Sequence, residues 1–377
     1  MILLISKRDY ARVGHLLARS LNEIGIYAVS ITKEISHNHH KNEQSIIYKN
    51  QNELLKFVSQ ATSIIWTHSI LTPIDKTLQR KTKVFVFHGG TNYRRNPEKK
   101  NKIFNNIVDA SIIQTGELLG LGAVNEQWLL PPIDTKLIQP EFGIHKNITI
   151  AHYPSNKIRP EHDIKGTLSI NEVIKDISSI QNLNFNYRFK NAYDTTPRVS
   201  WKRNLKRMSN CDIYIESLNI DSTSDNQHDW SLTALEAAAL GKIVITNFRN
   251  LERYKKEYGN CELIIANNRK QLKDVLIKLI QSPRKVLIRK QQKTREWVET
   301  YHSLKAIGLR FKNIIQNTHK RISNPVIIPN HKIPNSSLMK SKRLHTSTQK
   351  RGKRIHNNTL PPSFQPPKKH KQGRAAG

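Results

Sequence analysis

The sequence has little cysteine, little acidic charge and no long hydrophobic run. Its 377 residues include two cysteines, Cys211 and Cys261, which argues against a disulfide scaffold and predicts two core thiols. No run approaches the roughly 18 to 20 apolar residues of a membrane-spanning helix. The apolar start, residues 1–6, is too short for a signal peptide and predicts a first strand. We therefore expect a cytoplasmic protein.

Positive charge dominates the chain. There are 62 Lys and Arg against 29 Asp and Glu, a formal net charge of +33. Residues 320–377 hold 14 Lys and Arg and no Asp or Glu, which leaves +19 for the rest. Such an excess attracts polyanions, namely nucleic acid, anionic lipid head groups or diphosphates. A composition biased toward Lys, Asn and Ile, serving only solubility, is the alternative explanation.

Two common signatures are also absent. The sequence contains neither a Walker-type loop nor a GxGxxG loop, which argues against kinases, ATPases and dehydrogenases. His37, His39 and His40 lie together without a cysteine or acid at ligand spacing, so we expect no metal site there.

Strand and helix patterns alternate along the chain in two series. Apolar runs predict strands at residues 1–6, 26–31, 63–69, 83–90, 110–115, 147–153, 184–189, 211–217, 242–247 and 262–267. Helical patterns lie between them, and a long helical stretch at 269–315 has a break at Pro283. Fully apolar strands that alternate with helices predict parallel sheets covered on both faces. Between the two series, residues 129–140 contain three prolines and predict a linker.

We therefore predict an α/β fold with two doubly wound domains. Residues 1–135 form the first domain, 136–300 the second, 301–318 a helix that packs back toward the first, and 319–377 a disordered basic tail. Ligands bind such sheets at the carboxyl ends of the strands, so the cleft between the domains is the predicted site.

The loop after the strand at 147–153 is basic and precedes a helix. It contains Lys157, Arg159 and Lys165, and Gly166 follows. An ammonium group and helix amides at one point favour a diphosphate. A solvated basic loop is the alternative.

The segment 231–246, SLTALEAAALGKIVIT, places one carboxylate on a helix of small residues. Ser231 is the predicted N-cap. The alanines at 237–239 allow close approach, so Glu236 is suited to accept hydrogen bonds from a ribose. An ordinary surface glutamate is the alternative.

In the first half, the strand at 83–90 ends in His88, Gly89 and Gly90. Two glycines let a ligand approach the backbone, and His88 could donate to a sugar or phosphate oxygen. A turn with a surface imidazole is the alternative reading. His68 at another strand end is a similar but weaker candidate.

Three segments resemble family-4-type retaining glycosyltransferases of the GT-B fold. The linker 129–140 is similar to the interdomain segment of that family. Residues 152–167 resemble the stretch in which a Lys-Gly pair binds donor diphosphate. Residues 229–246 resemble the donor signature of two glutamates separated by seven residues. The similarity covers residues 1 to 315 and implies two Rossmann-like domains with an interdomain cleft.

The resemblance implies roles for individual residues. Lys165 would contact the diphosphate, and Glu236 would match the second signature glutamate and hold the ribose. His228 stands where the first glutamate is expected, a departure that puts activity or donor choice in doubt. The family also has an Arg ahead of the Lys, and Arg159 and Lys157 are both candidates. His88 resembles the loop that faces the reacting sugar.

The implied reaction is transfer of a sugar from a nucleotide-diphosphate donor, with retention, to an unknown acceptor. Cations and helix amides would stabilise the leaving diphosphate, so no cofactor and no essential metal are expected. Two alternatives remain open. The first is a non-catalytic protein that binds nucleic acid or an anionic membrane on a degenerate transferase scaffold. The second is a sugar-nucleotide epimerase. Whether the chain is the transferase or the polyanion-binding protein, the basic tail could hold it at the inner face of a membrane.

Overall fold

In the computed structural model, the described residues are 1–34, 45–71, 77–78, 82–154, 163–190, 199–218, 229–321 and 326–327. All of them belong to one unit, Met1–Asn330, and the second unit, His331–Gly377, lies outside the described residues.

A seven-stranded parallel sheet forms the first half of the chain. Strands β1 to β8 are Ile2–Arg8, Ala28–Glu34, Ile46–Ile47, Ser63–Thr67, Thr77–Leu78, Lys83–His88, Ala110–Ile113 and Gln127–Trp128. All except β5 join the sheet, in the order β3-β2-β1-β4-β6-β7-β8. In the register, Ile2 of β1 lies opposite Ala28 of β2 on one side and Ser63 of β4 on the other.

Helices cover both faces of this sheet. Helices α1 to α4 are Val13–Asn22, Gln51–Ser59, Gly90–Arg94 and Pro97–Phe104. Alternate residues of one strand enter different cores: Leu4 packs in a cluster with Leu17 and Leu21 of α1, whereas Leu3 packs with Leu54 of α2. Because successive side chains of a strand point to opposite faces, a fully apolar strand needs a cover on each side.

A five-stranded parallel sheet forms the second half. Strands β9 to β13 are Ile148–His152, Phe185–Phe189, Ile213–Ile215, Ile243–Thr246 and Ile264–Ile265. Their order is β10-β9-β11-β12-β13. Helices α5 to α9 are Thr167–Ser178, Trp201–Ser209, Leu232–Ala239, Leu251–Tyr258 and Arg269–Gln281. The predicted α/β fold with two Rossmann-like sheets is confirmed.

Two helices follow the second sheet and return to the first half. They are α10, Arg284–His302, and α11, Leu304–Asn317. The α9–α10 break at Pro283 was predicted, whereas the break at Ser303 was not. α11 lies directly on α1, because a Cβ built on Gly308 would be 2.1 Å from the backbone oxygen of Ser20. The ammonium of Lys83 donates to the carbonyl of Ile315, 2.9 Å away.

The linker between the sheets is tied to the same crossing point. The amide of Ile133 donates to the carbonyl of His302 over 2.8 Å. The buried carboxylate of Asp134 pairs with Arg19 of α1. The buried guanidinium of Arg295 donates to the carbonyls of Thr135 and Ile138. The linker at 129–140 and the junction of α10 with α11 are therefore in contact where the chain passes between the two halves.

Two short pieces of the predicted tail have defined partners. The amide of Arg321 donates to the carboxylate of Asp109 over 2.8 Å. A last strand, β14, Val326–Ile327, pairs antiparallel with β5. The rest of the predicted tail lies outside the described residues.

Candidate functional site

Three predicted site residues come together at the carboxyl edge of the second sheet. The ammonium of Lys165, just before α5, donates to the hydroxyl of Ser231, 3.2 Å away. Ser231 is the N-cap residue of α7, as predicted, but its side chain makes no capping hydrogen bond to the helix. Glu236 lies in the middle of the same helix. The structure thus places the predicted diphosphate and ribose residues on neighbouring elements.

Sequence reasoning missed the residue at the centre of this group, Glu216. Glu216 follows β11 and is buried. Its carboxylate accepts hydrogen bonds from Lys165, from Ser231 over 2.6 Å, from Ser217, and from Thr246 over 3.1 Å. Although burial alone would raise its pKa, the charge of Lys165 and these donors lower it to about 2. Glu216 is therefore a fixed negative charge beside Lys165.

The first amides of α5 already donate to a side chain of the protein. Gly166 is its N-cap residue, with a φ of 64°, a conformation that glycine adopts without steric cost. The amides of Thr167 and Leu168 donate to the carboxylate of Asp163 over 2.8 and 2.7 Å. The helix amides here were predicted to bind a diphosphate. In this structure the carboxylate of Asp163 accepts their hydrogen bonds instead.

Glu236 is buried, and its carboxylate accepts a hydrogen bond from another side chain of the protein. Its Oε1 accepts a 2.7 Å hydrogen bond from the indole N–H of Trp201, the first residue of α6. The guanidinium of Arg12, from the first half of the chain, lies 4.1 Å from the centre of that indole ring. Burial raises the pKa of Glu236 to about 7, although the bond from Trp201 and the charge of Arg12 act against the rise. Neither Trp201 nor Arg12 was among the predicted site residues.

The glycine loop of the first half packs more tightly than expected. His88 is buried, its Nδ1 lies 2.9 Å from the hydroxyl of Ser69, and its ring stacks on Tyr93 at 4.0 Å. Burial lowers the pKa of His88 to about 3, so its ring is neutral. A Cβ on Gly89 would come 1.9 Å from the side chain of Gln114, and Gly90 has a φ of +63°. The alternative reading of His88 as a surface imidazole is wrong, because the ring is buried, and its contact with a reacting sugar stays a prediction.

The two halves meet closely beside the site. A Cβ on Gly116, after β7, would lie 2.8 Å from Oδ2 of Asp229, the residue before Trp230. That carboxylate accepts a 2.9 Å hydrogen bond from the side chain of Asn250. Burial, and then the charge of Glu117, raise the pKa of Asp229 to about 6.

Solved glycosyltransferases have this architecture. HepE from Anabaena, solved with UDP-glucose, is 10% identical and covers 84% of this chain and 99% of its own, with a TM-score of 0.52. A glycosyltransferase from Rickettsia africae is 11% identical, with the same coverage and a TM-score of 0.52. AviGT4, a glycosyltransferase of avilamycin A biosynthesis, is 10% identical and covers 84% and 98%, with a TM-score of 0.51. The chain has the GT-B fold. No protein-family model and no curated protein matches the sequence.

Several predicted residues of this GT-B chain lie outside the described part. They are Lys157, Arg159, His228 and the histidines at 37, 39 and 40. Within the described part, no group of three or more His, Cys, Asp or Glu side chains could hold a metal ion. In the same part, every helix is too short or too polar to cross a bilayer.

Proposed function

We propose that the chain is a glycosyltransferase that moves a sugar, of the hexosyl type, from a nucleotide-diphosphate donor to an acceptor with retention of configuration. The observation that carries the proposal is the contact of Lys165 with Ser231, at the amino terminus of the helix that bears Glu236. In a GT-B chain this edge of the second sheet faces the cleft where a donor binds.

The diphosphate would lie between Lys165 and the start of α7. The hydroxyl of Ser231 donates to Glu216 instead of capping α7. The amide of Ala234 donates to the carbonyl of Ser231, so the amides before it in the first turn would face the anion, and the helix dipole favours negative charge at that end. As the bond to the sugar breaks, charge grows on the leaving diphosphate, and these donors stabilise it. We therefore propose that no metal is essential, and that Lys157 and Arg159 add to the positive charge.

The ribose would bind at Glu236. A carboxylate has two oxygens, so Oε2 could accept from a ribose hydroxyl while Trp201 keeps Oε1. HepE has been solved with UDP and with UDP-glucose, which makes uridine nucleotides the first probes. His88 and His228 would act near the sugar. The acceptor, whether a glycan, a lipid-linked or another molecule, stays open.

The decisive experiment is a calorimetric titration of the full chain with UDP, GDP and ADP. We expect one diphosphate to bind selectively and Lys165→Ala and Glu236→Ala each to lower its affinity by about 30-fold or more, the loss expected for a hydrogen bond to a charged group. Lys175→Ala and Glu172→Ala, exposed on α5, are the matched controls. Incubation with the matching nucleotide sugar, with the anomer of the product followed by NMR, then tests transfer and retention. Failure of all three nucleotides to bind would contradict the proposal.

We further propose that residues 319–377 hold the protein at an anionic surface, either the inner face of a membrane or nucleic acid. The support is the 14 Lys and Arg and the absence of Asp and Glu from residue 320 onward. A protein that only binds polyanions is the less supported alternative, because such a role gives no reason for a buried Glu236 on the helix whose N-cap residue, Ser231, contacts Lys165.

A further inference from the structure

The predicted diphosphate site contains more negative charge than a site for anions needs. Lys165 supplies one ammonium, with its side chain 13% exposed. Glu216 directly contacts that ammonium, and Asp163 binds the first amides of α5 just before it. Among the described residues of this group, two carboxylates therefore accompany one cation.

The ammonium of Lys165 is already largely engaged. Of its three N–H donors, one goes to Glu216 and one to Ser231. Among the described residues, these two bonds leave one N–H of Lys165 for a diphosphate oxygen, which would share the ammonium with the carboxylate of Glu216. To bind more strongly, the ligand must draw the ammonium away from Glu216.

The carboxylate of Glu216 cannot easily move away from Lys165. Its carboxylate is held by hydroxyl groups on three segments, those of Ser217, Ser231 and Thr246, and it is buried at 2% exposure. At this burial, water has little access to replace these donors. The carboxylate therefore stays in place whether or not a ligand is present.

We infer that Glu216 is a counter-charge that competes with a diphosphate for the ammonium of Lys165, and so sets how strongly this site holds its ligand. The inference rests on the proposed function and deepens it. Glu216 acts through Lys165, so it is a positioning residue. It keeps the Lys165 side chain directed at the start of α7 and limits the affinity for the diphosphate product, which must leave after each transfer.

The test measures binding of inorganic pyrophosphate to the full chain by calorimetry at physiological ionic strength. The site-specific part is defined as the binding that Lys165→Ala removes. Glu216→Gln keeps the shape and removes the charge, so it should tighten this binding by about fivefold or more, the effect of one unit charge a few ångströms away even in water. The gain should be smaller for orthophosphate, which carries less charge, and should shrink with added salt. If Glu216→Gln only disturbed the packing, the affinity for pyrophosphate and the affinity for orthophosphate would both fall.

Glu172→Gln, at an exposed site on α5, should leave the affinity unchanged. Glu216→Asp keeps the charge but withdraws it by one methylene, and serves if Glu216→Gln does not fold; it should tighten binding by about twofold. Unchanged or weaker binding in a folded Glu216 variant, with Lys165→Ala still defective, would overturn the inference and leave the proposed function standing. If the unaltered chain bound neither pyrophosphate nor any nucleoside diphosphate, both would fall.

Discussion

The indole of Trp201 donates a 2.7 Å hydrogen bond to Glu236, the carboxylate that we assign to the donor ribose. A second contact of that indole, with the guanidinium of Arg12, reaches across to the first half of the chain. The ribose position is thus connected to both halves before any ligand is present. Binding of a donor must share this bond or break it.

Replacement of Trp201 should change how nucleotide binding depends on pH. Trp201→Phe removes a hydrogen bond that lowers the pKa of Glu236, so that pKa should rise by about one unit. If the ribose needs the ionised carboxylate, UDP affinity should reach its plateau at a higher pH than in the unaltered chain. Titrations between neutral and alkaline pH measure this.

Trp297→Phe is the control for that experiment, because the indole of Trp297 donates to the carbonyl of Asn260 instead. Its pH profile should match that of the unaltered chain. An unshifted profile in Trp201→Phe would contradict the assigned role of the bond.

Glu236 should make the protein less stable as the pH rises. Its carboxyl has a pKa of about 7 in the folded chain against 4.5 ordinarily, so the folded state binds more protons between these values. Glu236→Gln should therefore gain stability over the unaltered chain from pH 4.5 upward, reaching on the order of 3 kcal/mol above pH 7. Urea unfolding of both proteins across this range gives the difference. The exposed Glu172→Gln should show no such gain, and a constant difference for Glu236→Gln would refute the burial argument.

Close packing of α11 on α1 should depend on Gly308. A methyl group there would lie 2.1 Å from the backbone oxygen of Ser20, so Gly308→Ala must separate the helices. We expect a loss of about 1–3 kcal/mol, despite the better helix propensity of alanine, in urea unfolding. Leu309→Ala, at an exposed position of the same helix, should change stability little. A more stable Gly308→Ala would show that the helices separate at no cost.

Deletion of residues 328–377 should separate anion binding from donor binding. The cut follows Ile327, so the bonds of Arg321 and of β14 are kept, while twelve Lys and Arg are removed. We expect weaker binding to anionic vesicles or to DNA, since each engaged basic residue contributes about 1 kcal/mol near a charged surface. Sedimentation with vesicles and a DNA shift assay measure this, with UDP affinity as the control. A large loss of UDP affinity would place the segment in the donor site.

The fold could be predicted from local patterns. Apolar runs such as that of β12 are short, fully buried and separated by helical patterns, which determines strand and helix without long-range information. The Pro283 break could be predicted for the same reason. The break at Ser303 also had a local signal, since its side chain accepts from the amide of Ala306, but a serine inside a long helical pattern is ambiguous.

The site was predictable only in part. Lys165, Ser231 and Glu236 could be singled out because each lies next to a helix start or among small residues, and their roles stay predictions. Glu216 was missed, because its partner Lys165 is 51 positions away and sequence alone does not pair them. The same holds for Trp201 and Glu236, which are 35 positions apart. Asp163, by contrast, lies four residues before the first residue of α5, and its capping role had a local signal.

The bond between Ile133 and His302 joins the two passages that the described residues make from one sheet to the other. Two passages fastened at one point behave as a single pivot. One sheet can swing about that point while both connections keep their length, but it cannot slide sideways without breaking the bond. Any movement of one sheet relative to the other should therefore be a rotation about a point close to Ile133 and His302.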